Sequence, residues 1–246
     1  MTKSTNLRLD RLLANLGYGS RRDVQAMVAD GLVTVDGQIA MRADSHIQVT
    51  PDLVDRIAVD GASLDPPPPL NLILHKPLGY VCSHKEPGRG VYDLLPVRWR
   101  RRDPALSTVG RLDKETSGLL LLTDDGGLLH RIISPKAHIA KRYHVTLEQP
   151  LRGDEDVLFA SGAMIIEGET KPLLPATLDI ISSNICRLTI TEGRYHQVRR
   201  MFAATGNKVA ALHRERIGGL DLPGDLSAGD YRALTDGELI AAMSGG

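Results

Sequence analysis

Leu9, Leu12, Leu13 and Leu16 recur at three- and four-residue intervals, the spacing of one helix face, and Gly17 supplies the stop. Ser20 can cap a second helix, with Val24, Met27 and Val28 as its apolar face and Gly31 as its end. Val33–Gln38 then reads as a strand entering a tight Asp36-Gly37 turn. Further on the pattern changes. Leu70–His75, Leu119–Thr123, Tyr143–Leu147 and Cys186–Ile190 alternate or run apolar over strand lengths. Helices are predicted near 126–133, with Asp124 or Asp125 as cap, near 154–161, and near 196–205 with Gly206 as stop. Another starts at Thr235, where Thr235 and Glu238 fit a capping box. Strands interleaved with few helices predict an α+β fold with a mixed, mainly antiparallel central sheet.

The sharpest break is Asp65 followed by Pro66, Pro67, Pro68 and Pro69. Consecutive prolines favour an extended helix of about 3.1 Å per residue, a stiff spacer of roughly 12 Å. The expected division is a small domain over 1–62, a linker over 63–69 and a large domain over 70–246.

Composition narrows the classes. At 42% hydrophobic and 24% charged, the 246 residues suit a folded globular chain. No apolar run approaches the roughly 18–20 residues of a membrane helix. The N-terminal MTKSTNLRLD lacks the apolar segment of a signal peptide, so a cytoplasmic protein without membrane partners is expected. Cys82 and Cys186 fit buried small residues of a reducing compartment. No large apolar surface helix is left over, which favours a monomer.

Net charge is zero, but its distribution is uneven. Residues 194–216 hold six basic residues against Glu215, and residues 85–102 hold six against Glu86 and Asp93. Residues 130–144 hold four and no acid, whereas 221–246 holds five acids against Arg232. Such segregation is compatible with a basic face for a polyanion and equally with scattered solvated surface. His130, His138, His144, His196 and His213 show no metal-ligand spacing and read as polar or packing residues.

Two stretches carry family resemblance. RLDRLLANLGYGSRRDVQAMVADGLVTVDG (8–37), with arginines at the starts of two helices before a hairpin, resembles the S4 RNA-binding domain. Arg8, Arg11, Arg21 and Arg22 would contact phosphates, positioning RNA without reading its sequence. GRLDKETSGLLLLTDDG (110–126) resembles the catalytic motif of pseudouridine synthases of the ribosomal branch that carries an S4 domain. HKPLGYVCS, KRYHVTLE, EGRYHQVRRMFAATGNKVAALHRERIGGL and AGDYRALT match further motifs of that branch in order. Glu115 stands where the family often has Asp.

The resemblance implies an isomerase that cleaves the N1–C1′ bond of a uridine and joins C5 to C1′, with no metal or organic cofactor. It implies Asp113 as the essential carboxylate, attacking C1′ or assisting deprotonation of the sugar. Tyr143 would stack on the flipped uracil and take the C5 proton, and Val198 would lie under the base. Arg199 would pair with Asp113, and Arg111 would fill the gap left by the flipped nucleotide. The implied partner is 16S rRNA, at uridine 516, or a small-subunit assembly intermediate. A target in 23S rRNA or tRNA, or a non-catalytic rRNA assembly factor on the same fold, are the alternatives. A pure binder has no need of Asp113, Tyr143 and Arg199 together.

Overall fold

The computed structural model describes residues 6–83 and 85–245. The chain forms two compact units. The first comprises the residues up to Asn71 together with Leu95–Ser107 and Thr123–Asp125; the second holds the rest.

In the first unit, helices Leu9–Asn15 and Arg21–Ala29 form as the apolar spacing predicts. Ser20 and Asp23 make a reciprocal capping box at the second helix. Strands Val33–Val35 and Gln38–Ile39 form a hairpin. Its turn places Asp36 and Gly37 both at positive φ, as a two-residue turn between twisted strands requires. Strands Ile57–Val59 and Ala62–Ser63 complete a four-stranded sheet. Leu9, Leu12, Leu13, Leu16, Val24 and Ile57 lie in the core beneath it.

The proline run is not a free spacer. The Asp65 carboxylate accepts from Arg98, whose guanidinium also lies 4.1 Å over the Tyr18 ring. The Pro66 carbonyl accepts from Arg102, and Arg102 pairs with Asp124 at 3.0 Å, both side chains buried. Asp124 also accepts the Leu70 amide, so it is a buried junction rather than a helix cap. Arg98 and Arg102 are thereby spent on structure, which removes them from any basic surface.

The second unit is built on a nine-stranded sheet. Its order runs Thr177–Ser182, Ile185–Ile190, Lys141–Leu147, Val209–Ile217, Ser117–Thr123, Asn71–Lys76 and Tyr231–Ala233, with two short strands paired at its sides. Most neighbours are antiparallel, but Ser117–Thr123 and Val209–Ile217 run parallel. Within Ser117–Thr123 the run Leu119–Leu122 is buried and apolar without a break, as a central strand covered on both faces should be. Helices Gly126–Ile133 and Asp236–Met243 pack beside Ile73, Leu119, Leu121 and Ile217. Thr235 and Glu238 form the expected capping box. Helices Glu155–Ala160 and Gln197–Ala204 complete the predicted set. Val209–Ile217, the longest strand, is absent from the apolar pattern because its middle carries His213, Arg214, Glu215 and Arg216.

Candidate active site

The loop Gly110–Thr116 joins the short strand Ser107–Thr108 to the central strand Ser117–Thr123. Its main chain is pinned on both sides of Asp113. The Leu112 amide donates to Cys82 Sγ at 3.4 Å, and the Thr116 amide to the Asp113 carbonyl at 3.0 Å. Lys76, fully buried at the end of its strand, donates Nζ to the carbonyls of Thr116 (2.7 Å), Pro77 (3.1 Å) and Lys114 (3.4 Å). The Gly79 amide also reaches the Lys114 carbonyl, at 2.9 Å. Burial lowers the Lys76 pKa, and the charges of Asp113 and Glu115 oppose that shift.

Asp113 opens into a cleft of about 450 Å³. Its carboxylate lies 3.4 Å from His196 Nε2. His196 has a left-handed backbone, with φ 49°, at the start of helix Gln197–Ala204, and its ring stacks on Tyr195 with centroids 3.8 Å apart. Tyr143 and Val198, both buried, line the same cleft. Arg111 lines it from an exposed position and reaches Glu86 at 3.3 Å. The structure thus brings together Asp113, Tyr143, Val198 and Arg111.

Arg199 is placed differently. Its guanidinium donates to the Glu115 carbonyl at 2.7 Å and to the Val209 carbonyl at 3.2 Å. The expected ion pair with Asp113 does not form; Arg199 lines a neighbouring hollow with Glu115, Ser117 and His144. It is one residue beyond Val198 on the helix, which turns its side chain away from the cleft that Val198 lines. Arg199 and Lys76 together hold the carbonyls of residues 114, 115 and 116.

Four residues of the site escape the pattern-based reading: Lys76, Lys141, His196 and Arg214. Lys76 left a trace, a lysine closing an apolar strand. His196 reads as a polar or packing residue, yet it contacts the carboxylate. Lys141 and Arg214 line the cleft from adjacent strands. Lys141 is lowered to about 8 by its burial and by the positive charge of Arg214. Among the described residues, no group of three or more His, Cys, Asp or Glu is arranged to hold a metal ion.

In the first unit the four arginines divide into two pairs. Asp10 is fully buried and receives Arg8 at 2.9 Å and Arg21 at 3.0 Å, with Gln25 as a third donor. Arg11 and Arg22 are exposed and make no ion pair among the described residues.

A carboxylate on a pinned loop, a buried tyrosine and the cations Arg111, Lys141 and Arg214 line one cleft. A small helical module with exposed arginines accompanies it. The chain matches the model of the RNA pseudouridylate synthase family over residues 71–204 and that of the S4 domain over residues 7–49. It is 43% identical over 241 residues to ribosomal small subunit pseudouridine synthase A of Escherichia coli (strain K12), covering 96% of this chain and all of that one. An uncharacterized RNA pseudouridine synthase of Bacillus subtilis (strain 168) is 42% identical, with 95% of this chain and 97% of that protein covered. A pseudouridylate synthase crystal structure superposes with a TM-score of 0.66 at 36% identity, covering 96% and 99% of the two chains. The chain belongs to the RNA pseudouridylate synthase family and carries an S4 domain; it is a pseudouridine synthase.

Proposed function

We propose that this enzyme converts a uridine of small-subunit ribosomal RNA, uridine 516 of 16S rRNA, into pseudouridine. The observation that carries the chemistry is Asp113, which lines the cleft with Tyr143 on a loop whose next three carbonyls are held by Lys76 and Arg199. The names of the full-length relatives support the small-subunit target. The substrate is the RNA itself or a small-subunit assembly intermediate, and the enzyme acts as a cytoplasmic monomer. Among the described residues, no helix is long and apolar enough to cross a membrane.

Asp113 attacks C1′ or takes a proton from the sugar as the N1–C1′ bond breaks. Glycoside chemistry at such a centre usually engages two carboxylates, but uracil is a tolerable leaving group and one suffices here. Tyr143 stacks on the flipped base and then accepts the C5 proton, while Val198 packs under the ring. Arg111, at the mouth of the cleft, fills the gap that the flipped nucleotide leaves. Arg199 positions the Asp113 loop through Glu115 rather than touching the carboxylate. The module over 1–62 docks RNA through Arg11 and Arg22, with Arg8 and Arg21 reaching phosphate from their places around Asp10.

The test is pseudouridine mapping of 16S rRNA, 23S rRNA and tRNA from cells with and without this protein, complemented by wild type or Asp113→Asn. One 16S pseudouridine should vanish in the deletion and return with wild type only. Return with Asp113→Asn would refute the catalytic assignment, and loss confined to 23S rRNA or tRNA would refute the target.

A further inference from the structure

A bulge in the central ladder decides what faces the cleft. Strand Lys141–Leu147 pairs Arg142 with Arg216 but Tyr143 with Arg214, so Glu215 is the extra residue. Without the bulge, Glu215 would stand opposite Tyr143. With it, Arg214 does, and side chains directly opposite on one face are about 4.5–5.5 Å apart at Cβ. Glu215 is turned to Arg142 and Arg187, at 3.2 and 2.9 Å.

Arg214 is 3% exposed. Its Nε donates to the Leu119 carbonyl at 2.8 Å, and its Nη2 is enclosed without a partner. Lys141, two residues before Tyr143 and on the same strand face, also lines the cleft and makes no ion pair among the described residues. The cleft's carboxylates are engaged elsewhere: Asp113 faces His196, and Glu192 holds Arg194 and Gln197. Two cations therefore flank Tyr143 with no anion between them. Such an arrangement is costly unless the substrate supplies the negative charge.

We propose that Arg214 and Lys141 stabilise the negative charge that the uracil ring acquires when its glycosidic bond breaks. This rests on the synthase reading of the cleft. The electron pair of the N1–C1′ bond leaves with the base and spreads over N1, O2 and O4. C1′ is left electron-poor, and Asp113 meets it either as nucleophile or by taking a sugar proton. C5 then bonds to C1′ as the Asp113–C1′ bond breaks or, in the other case, as Asp113 returns the sugar proton. The C5 proton departs and N1 gains a proton, so the product is an isomer of the uridine and Asp113 is regenerated. Fixed cations in a site that excludes water act on charge developing in the transition state, and they do little for neutral bound uridine.

The experiment is single-turnover cleavage by the full-length enzyme of a 16S rRNA fragment carrying uridine or 5-fluorouridine at the target. Loss of the parent nucleoside is followed by digestion and mass spectrometry. Fluorine withdraws electrons and makes the detached base a better leaving group, so less help is needed from the protein. Arg214→Met should slow cleavage of uridine about 10²–10³-fold, the usual effect of removing one such donor. On 5-fluorouridine the loss should be about tenfold smaller or less, and RNA affinity should change little. Lys141→Met should show the same pattern more weakly, and Arg214→Lys should retain part of the rate. Should Arg214→Met fail to fold, the Arg214→Lys and Lys141→Met pair carries the comparison. Equal losses on both RNAs, or a loss confined to affinity, would overturn the inference. A wild type that leaves every uridine unchanged would instead overturn the synthase reading beneath it.

Discussion

Gly118 sits where the strand that follows Asp113 passes the strand that carries Arg214, and the contact is main chain against main chain. A Cβ built on Gly118 would fall 2.6 Å from the Arg214 nitrogen and 2.9 Å from its carbonyl carbon, with the carbonyl oxygen closer still. The backbone there has φ +111°, outside the range L side chains favour. Gly118→Ala therefore incurs two costs. Positive φ contributes about 1–2 kcal/mol. Forcing apart a packed pair of central strands adds about 1–3 kcal/mol, since neither backbone can swing aside as a side chain would. Together these give about 2–5 kcal/mol. Gly153→Ala is the matched control in the same unit, with φ +99° and nothing within 4 Å of the new Cβ, so it should cost only the first part, about 1–2 kcal/mol. Urea denaturation followed by circular dichroism measures both. The strands also hold the Asp113 loop and Arg214, so Gly118→Ala should reduce turnover by about 10²-fold where Gly153→Ala does not. Equal destabilisation by the two variants, or full turnover in Gly118→Ala, would refute the idea that this close approach sets the site.

Three further outcomes follow from the contacts. Lys76→Met should strip the carbonyls of Lys114 and Thr116 of their buried donor and lower stability by about 2–4 kcal/mol, with a loss of kcat that exceeds any change in KM. Asp10 is raised by burial but brought down to about 2, from 3.8, by hydrogen bonds from Gln25, Arg8 and Arg21. Its folded pKa is thus depressed, so its stabilisation is present above about pH 4 and lost as pH falls towards 2; Asp10→Asn should be less stable than wild type at pH 6, with the gap narrowing over that window. Arg11→Ala and Arg22→Ala should each reduce the salt slope of RNA binding by about 0.7–0.9 with melting unchanged, whereas Arg21→Ala should also lower the melting temperature by leaving Asp10 short of a donor.

Much of the architecture is written in local pattern. The leucine spacing of the first helix, the capping boxes at Ser20 and Thr235, and the Asp36-Gly37 turn all act within a few residues, so they are legible one segment at a time. Asp113 is legible only through family resemblance, and the motif that carries it is one contiguous stretch, residues 110–126. The site's cations were not legible in this way. Arg214 lies in a charged stretch that hides the longest strand of the sheet, and only a one-residue bulge against Tyr143 turns it inward while Glu215 turns out. Arg199 reads as a partner of Asp113, but its place one step past Val198 on a helix sends it to the Glu115 carbonyl. Charge blocks were misleading for a related reason. Arg98, Arg102, Arg142 and Arg216 cluster along the chain, yet in space they meet Asp65, Asp124, Glu215 and Asp221. Sequence order determines which residues share a turn or a strand face, whereas pairing across strands determines which charges share a cleft, because ladder register is set by contacts between residues far apart in the chain.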